Sequence, residues 1–306
     1  MNRFCNPLVS VIIISYQSRD YILETLDSVK AQSWENIELI VSDDASTDGT
    51  FQIVTDWLKD NQERFIHTTI LGSSHNNGIP ANCARGLSKA KGDWVKFIAA
   101  DDILIETCIE DNINVAKHYT DVSFIISDLI EIDKDSKIIR LSPENKGLQY
   151  FLKNQRNKHQ QLKAYARWPA FLNTPSFFYK REIIENSPLK KPDNYKIYED
   201  TTIVFSLLDA GVKIHYLNKP TVKYRVHKNA ISRSKKMENK REKEAYKVYK
   251  DYRMKYLSPF NPIDWSVYYE SWIRFKFKGI KGRKGERFLK KFSLFYWHLR
   301  LNGIKV

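Results

Sequence analysis

The sequence predicts an α/β fold built on a mainly parallel sheet, and three observations carry that expectation. Short apolar runs recur at Leu8–Ser15, Ile37–Val41, Ile66–Leu71 and Trp94–Ile98. Segments of helical period separate the first of these runs, and carboxylates collect at the C-terminal ends of two of them: Asp43 and Asp44 after the second, Asp101 and Asp102 after the last. Strand and helix alternating at short spacing is the pattern of βαβ units, whose loops at the strand C-termini form one binding face.

The elements follow in order. PLVSVIIIS reads as a buried strand, and the helix after it repeats apolar residues at Ile22, Leu23, Leu26 and Val29. NIELIVSDD is a second buried strand, and Ser46, Thr47, Asp48, Gly49 and Thr50 supply turn and N-cap residues for a helix over Phe51–Leu58. A third strand leads through HNNGIPANCARGLSKAKGD to the strand ending at Asp101. A lone Asp-Asp pair is ordinarily an N-cap; two pairs and Tyr16 on one face exceed what capping requires. Adjacent carboxylates at the edge of a core call for a cation or ligand hydroxyls, and hard divalent ions that carry phosphates take oxygen ligands.

After a polar, poorly periodic stretch from Ser142 to Lys163, NTPSFFYKREIIE predicts a short strand and a helix start. Glu199 and Asp200 then precede an apolar run at Ile203–Leu208, which puts them in the first turn of a helix. Acids there interact well with the helix dipole, so a capping role and a chemical role both fit the local pattern. TVKY is strand-like and runs into Arg225 and His227.

The ordered set VSVIIISYQSRDYILETLDSVKAQ, IELIVSDDASTDGT and NNGIPANCARGLSKAKGDWVKFIAADD resembles the nucleotide-sugar domain of inverting family 2 glycosyltransferases, which have a GT-A fold. The resemblance covers roughly residues 7–230 and implies a role for each matching position. Tyr16 would pack on the uracil and Asp44 accept a hydrogen bond from the base. Asp101 would contact the ribose side, and Asp102 would hold a divalent metal, Mn2+ or Mg2+, on the diphosphate. The usual metal motif is two acids flanking one residue; this chain has AADD, with Ala100 between Ala99 and Asp101 and no carboxylate at position 103, which points to a single metal-binding acid. Asp200 would be the catalytic base, taking the proton of an acceptor hydroxyl as it displaces the nucleoside diphosphate. The Tyr-Arg-x-His stretch would bring His227 to the metal or diphosphate with Arg225 beside it. Asn82 and Arg85 are candidates for the nucleotide side and equally fit a polar surface helix.

Charge divides the chain. The 306 residues carry 50 Lys or Arg and 36 Asp or Glu, a net +14. Residues 231–306 hold 21 of the basic and 7 of the acidic residues, so the whole surplus lies there, together with 16 of the 40 aromatic side chains. The expected organisation is a GT-A nucleotide-sugar-binding and catalytic domain over 1–230 and a basic, aromatic-rich helical extension over 231–306. In GERFLKKFSLFYWHLRLNG, Phe288, Phe292, Phe295, Tyr296 and Leu299 fall near one helical face beside Arg287, Lys290 and Lys291. That suits an anionic membrane surface, or aromatics that cover the main domain with solvated lysines. A nucleic-acid partner is not expected, because the acid pairs point to a sugar substrate.

No run approaches the ~20 apolar residues of a transmembrane helix, and no cleavage pattern follows the first apolar run. Cys5, Cys83 and Cys108 lack metal-type spacing and read as reduced thiols. The expected place is cytoplasmic, peripheral at the inner face of the membrane. The expected reaction is transfer from a nucleotide-sugar donor, UDP-linked, to a hydroxyl of a cell-surface glycan or lipid-linked oligosaccharide. A sugar nucleotidyltransferase is the alternative enzyme, but SYQSRDY lacks the glycine-rich phosphate loop it would use. A non-catalytic membrane or nucleic-acid binder would leave the acid pairs idle.

Overall fold

The computed structural model describes residues 6–119, 121–140, 157–168, 172, 174–190, 195–226, 238–277, 285 and 288–301. The chain forms two compact units, Met1–Pro143 with Asn173–Arg233, and Glu144–Leu172 with Ser234–Val306. The expected single boundary near 230 is therefore joined by a second crossing: residues 144–172 belong with the tail.

The first unit is built on strands β1 (Val9–Ser15), β2 (Ile37–Asp43), β3 (His67–Gly72), β4 (Trp94–Ala99), β5 (Ile103–Leu104), β6 (Phe124–Ile132), β7 (Ile138–Arg140), β8 (Phe178–Lys180) and β9 (Ile214–Arg225). They hydrogen-bond in the order β3-β2-β1-β4-β8-β6-β9-β5, with β7 on β6. β1 pairs in parallel with β2 and β4, and β2 with β3. β6 and β9 are also parallel, whereas β8 runs antiparallel to both β4 and β6. The result is the mixed, mostly parallel α/β sheet that the alternation predicts.

Helices α1 (Ile22–Lys30), α2 (Thr50–Asn61), α3 (Ile79–Leu87) and α4 (Cys108–His118) connect or flank the parallel strands. α1 buries Ile22, Leu26 and Val29, the residues that share one face at helical spacing. β2 is buried along its whole length, as a strand covered on both faces requires. Of its two acids, Glu38 lies near the N-terminal end and is satisfied there by Ser10 Oγ at 2.5 Å, Lys91 N at 2.5 Å and Gly92 N at 2.8 Å. Gly92 is needed at that contact, since a Cβ would fall 2.6 Å from the Ser10 nitrogen.

In the second unit, helix Lys158–Arg167 begins inside the stretch that looked non-periodic, capped by a reciprocal Asn157–Gln160 box. Asp264, buried near the start of helix Pro262–Trp272, binds Lys163 Nζ at 2.5 Å, Arg167 Nε at 2.7 Å and Ser258 N at 2.7 Å. Those bonds tie the two chain segments of this unit together. The single amphipathic helix expected near the C-terminus is interrupted: a turn at Lys291 and Phe292 precedes helix Leu294–Leu301. The expected face divides accordingly, with Phe295, Tyr296 and Leu299 buried while Phe288 and Phe292 are exposed. No helix among the described residues is long and apolar enough to cross a membrane.

Candidate active site

Register sets the site. Ser15 pairs with Asp43, and Ile14 with both Ser42 and Ala99, so β1, β2 and β4 end at one level. Tyr16, the Asp43–Asp44 pair and the Asp101–Asp102 pair follow directly from those ends, where open α/β sheets bind ligands. Tyr16 is 46 % exposed, as a side chain that stacks on a ligand requires. The backbone turns sharply after it and after Asp44: Gln17 has φ 52 and Ala45 φ 66, a region that side-chain-bearing residues seldom adopt.

Asp43 holds that turn, accepting from Ser15 Oγ at 2.8 Å, Ser46 N at 2.8 Å and Ser46 Oγ at 2.6 Å. Asp44 is fixed from the other side. Its Oδ2 accepts from Asn77 N at 2.9 Å and Gly78 N at 2.7 Å, and its Oδ1 meets Arg85 Nη2 at 3.3 Å. Arg85 also donates to Ser42 Oγ, the Asp43 carbonyl and Asn82 Oδ1, while Asn82 Nδ2 reaches the Ser15 carbonyl. Asn82 is buried and Arg85 part-buried, and through these bonds they brace the ends of β1 and β2; Asn82 is thereby turned away from the exposed surface on which a nucleotide contact was expected.

Arg225 requires a similar correction. Its guanidinium is buried and donates to the Asp101, Asp133 and Lys134 carbonyls, to Ser136 Oγ and to Glu24 Oε2, and it stacks over Tyr21 at 4.5 Å. Those acceptors take up the guanidinium in tying β9 to the turn of the strand-end acids. Its backbone N–H donates to Asp102 Oδ1 at 2.8 Å.

Asp102 is 1 % exposed, and its Oδ2 has no hydrogen-bond partner among the described residues. Burial, with the neighbouring Asp101 charge adding, holds its carboxyl well above the usual carboxylate range. Asp101 is half-buried and stands at the surface of the same turn. An orphaned carboxylate oxygen beside a second carboxylate fits a hard divalent cation. No cluster of three or more metal-ligating side chains occurs among the described residues, so any such ion would share its coordination with ligand oxygens and water. His227 lies outside the described residues.

Asp200 stands in the first turn of helix Glu199–Asp209. Its Oδ2 accepts from Thr174 Oγ1 at 2.6 Å and its Oδ1 from Thr201 N at 2.5 Å and Thr201 Oγ1 at 3.2 Å, leaving acceptor capacity on Oδ2. Burial pushes the thiol pKa of Cys83, on α3, strongly upward, and the Glu199 and Asp44 charges add to the shift. A thiol held protonated in this way is inert. Thr174 and Gly78 escape a reading of acids and aromatics alone; the Asn-Gly step was the available signal for the second.

A mixed, mostly parallel sheet with acids at its strand ends and a further acid opening a helix is the arrangement expected of the nucleotide-diphospho-sugar transferase class with the GT-A fold. Residues 10–187 match the model described as Glycosyl transferase family 2, and the chain belongs to that family. It is therefore a glycosyltransferase. Among its relatives is TuaG of Bacillus subtilis (strain 168), named for teichuronic acid biosynthesis, at 29 % identity over 75 % of this chain and 83 % of the relative. Another is WfaP of Escherichia coli, named as a UDP-Glc:α-D-GlcNAc-diphosphoundecaprenol β-1,3-glucosyltransferase, at 27 % identity over 74 % of this chain and 81 % of the relative. Among solved structures, S. aureus TarS 1–349 in complex with UDP-GlcNAc superposes with a TM-score of 0.61 and 16 % identity, over 94 % of this chain and 79 % of that one. The mannosyltransferase PcManGT of Pyrobaculum calidifontis, in complex with GDP-Man and Mn2+, gives a TM-score of 0.57 at 17 % identity, over 97 % of this chain and 86 % of that one. At these identities the structural likeness is one of fold.

Proposed function

We propose that this glycosyltransferase moves a sugar, with inversion, from a UDP-sugar to a hydroxyl of a lipid-linked oligosaccharide or cell-surface glycan. The observation that carries the proposal is the convergence of Tyr16, Asp44 and the Asp101–Asp102 pair at the C-terminal ends of three parallel strands. WfaP's UDP-glucose donor and diphosphoundecaprenol-linked acceptor, and the UDP-GlcNAc of the TarS complex, support uridine and a lipid-linked acceptor. The GDP-mannose of PcManGT makes the base the point to test first.

In this reading the exposed Tyr16 ring stacks on the base and Asp44, held by Asn77, Gly78 and Arg85, presents its remaining lone pair to a base N–H. A divalent ion, when bound at the Asp101–Asp102 turn, supplies Lewis-acid stabilisation of the leaving diphosphate. Exposure favours Asp101 as the carboxylate that meets an incoming ion, with buried Asp102 behind it, a reversal of the division implied by the resemblance. Asp200 accepts the proton of the acceptor hydroxyl as its oxygen bonds to the anomeric carbon and the bond from that carbon to the diphosphate breaks. Thr174 and Thr201 fix the plane of the carboxylate for that transfer.

The second unit is proposed to hold the enzyme at an anionic membrane surface on the cytoplasmic side. Phe260, Trp265, Phe288, Phe292 and Trp297 are exposed there in a region whose net charge is strongly positive.

The test is transfer from a panel of UDP-sugars to a diphosphoundecaprenol-linked sugar, with product configuration read from NMR coupling constants. Inverted product, and a fall in kcat of about 10³-fold in Asp200→Asn with nucleotide binding retained, are expected. A product with the donor's configuration, or an unimpaired Asn variant, contradicts the mechanism.

A further inference from the structure

Lys96 is the one feature of β4 that neither the sheet nor the donor site explains. It sits mid-strand in the apolar run WVKFIA and is fully buried. A lysine in such a position is rare, because burying an ammonium without a partner charge is costly. Burial drags its pKa below the usual lysine value, against the charges of Cys108 and Asp102. A leucine or methionine would fill the same slot without that penalty.

The ammonium has a definite task in the structure. Its Nζ donates to the Pro175 carbonyl at 2.5 Å and lies 3.4 Å from the Phe177 carbonyl. These carbonyls belong to the 3-10 turn Thr174–Ser176 and the residue after it. The turn immediately precedes β8, a three-residue strand that pairs with β4 and with β6 through two residue pairs each. Thr174, the residue before Pro175, is exposed and donates from Oγ1 to Asp200 Oδ2 at 2.6 Å. The chain of contacts thus runs from the middle of β4 through one turn to the candidate base, and the same strand ends at Asp101 and Asp102.

We propose that Lys96 is a positioning residue for transfer: through the carbonyls of Pro175 and Phe177 it sets the turn from which Thr174 orients the Asp200 carboxylate. A buried cation suits this task because it satisfies carbonyls facing the sheet interior, which no apolar side chain can do. The inference rests on Asp200 being the base and adds to that reading the means by which its carboxylate is held.

The test combines Lys96→Met, Thr174→Val, Thr174→Ser and the Lys96→Met/Thr174→Val double variant. The methionine keeps the volume and removes only the donor, and Thr174 is exposed, so its variants probe the same link without disturbing the core. The expected result is a kcat lowered by about tenfold in Lys96→Met and in Thr174→Val, with UDP affinity and donor KM unchanged. Thr174→Ser keeps the hydroxyl and retains activity. The double variant falls no further than either single, because both changes break one chain of contacts. Wild-type kcat in folded Lys96→Met, equal loss of nucleotide affinity and kcat, or full additivity in the double variant would each overturn the proposal. Asp200→Asn separates the two claims: if it is inactive while Lys96→Met is unimpaired, only the Lys96 inference fails. If Asp200→Asn transfers normally, the assignment of the base fails first.

Discussion

Gly78 shows how single residues shape the donor face. It adopts φ 90 and ψ 167 at the entry to α3, and its N–H donates to Asp44 Oδ2 at 2.7 Å. A Cβ there meets no neighbour, so the constraint is the backbone angle alone. Gly78→Ala is expected to lose roughly 1–3 kcal/mol of stability, read from urea midpoints, and to weaken nucleoside diphosphate binding. Unchanged midpoint and binding would mean that Asp44 is held without this turn. The acids of the site were visible in the sequence because the Asp43–Asp44 and Asp101–Asp102 pairs close apolar strand runs and Asp200 opens an apolar helical run. The role of Arg225 was not, since its acceptors include the Asp101 carbonyl 124 residues earlier and the Asp133 carbonyl 92 residues earlier. Long-range backbone acceptors leave no local pattern.

At the level of elements, periodicity located β1, α1, β2 and α2 to within a few residues because each buries one regular face or two. β8 was expected only as a short strand, and its antiparallel insertion between β4 and β6 could not be read from three residues of sequence. Helix Lys158–Arg167 was also missed. Its buried face, Gln161, Leu162, Tyr165 and Ala166, gives an apolar stripe only one turn long within a polar stretch, and its attachment to Asp264 is ionic. That attachment predicts a pH dependence. Burial alone would raise the Asp264 carboxyl, but hydrogen bonds from Lys163, Ser258 N and Arg167 outweigh it and leave the pKa below the usual value. A depressed folded-state pKa contributes stability above the unfolded value, about 3.9, and loses it as pH falls through the folded one. Unfolding of the second unit should therefore become easier below about pH 4. Asp264→Asn should flatten that dependence and, by leaving two cations beside a neutral amide, cost about 3 kcal/mol at neutral pH. An Asn variant with the parent's acid profile would refute the ionic tie.

On the scale of the whole molecule, charge and chemistry are partitioned along the chain. The acids that define the site belong to the first unit, and the net charge of +14 comes from residues 231–306. Vesicle flotation reads the consequence. Binding to vesicles rich in anionic lipid should fall steeply between about 0.1 and 0.5 M salt, as the Debye length shortens, and should be weak on neutral vesicles. Replacing Phe260 and Trp265 by Ala should reduce the part that survives salt. Equal binding to neutral and anionic vesicles would set aside the electrostatic anchor.

The measurement that bears most directly on the account is thermal unfolding of the protein with UDP, GDP and TDP, each with Mn2+ and again with excess chelator. A ligand that binds only the folded protein raises its Tm. The account predicts a rise with UDP and Mn2+ that chelator removes and that Asp101→Asn abolishes. Absence of any shift in folded protein, or a rise with GDP and none with UDP, would contradict it.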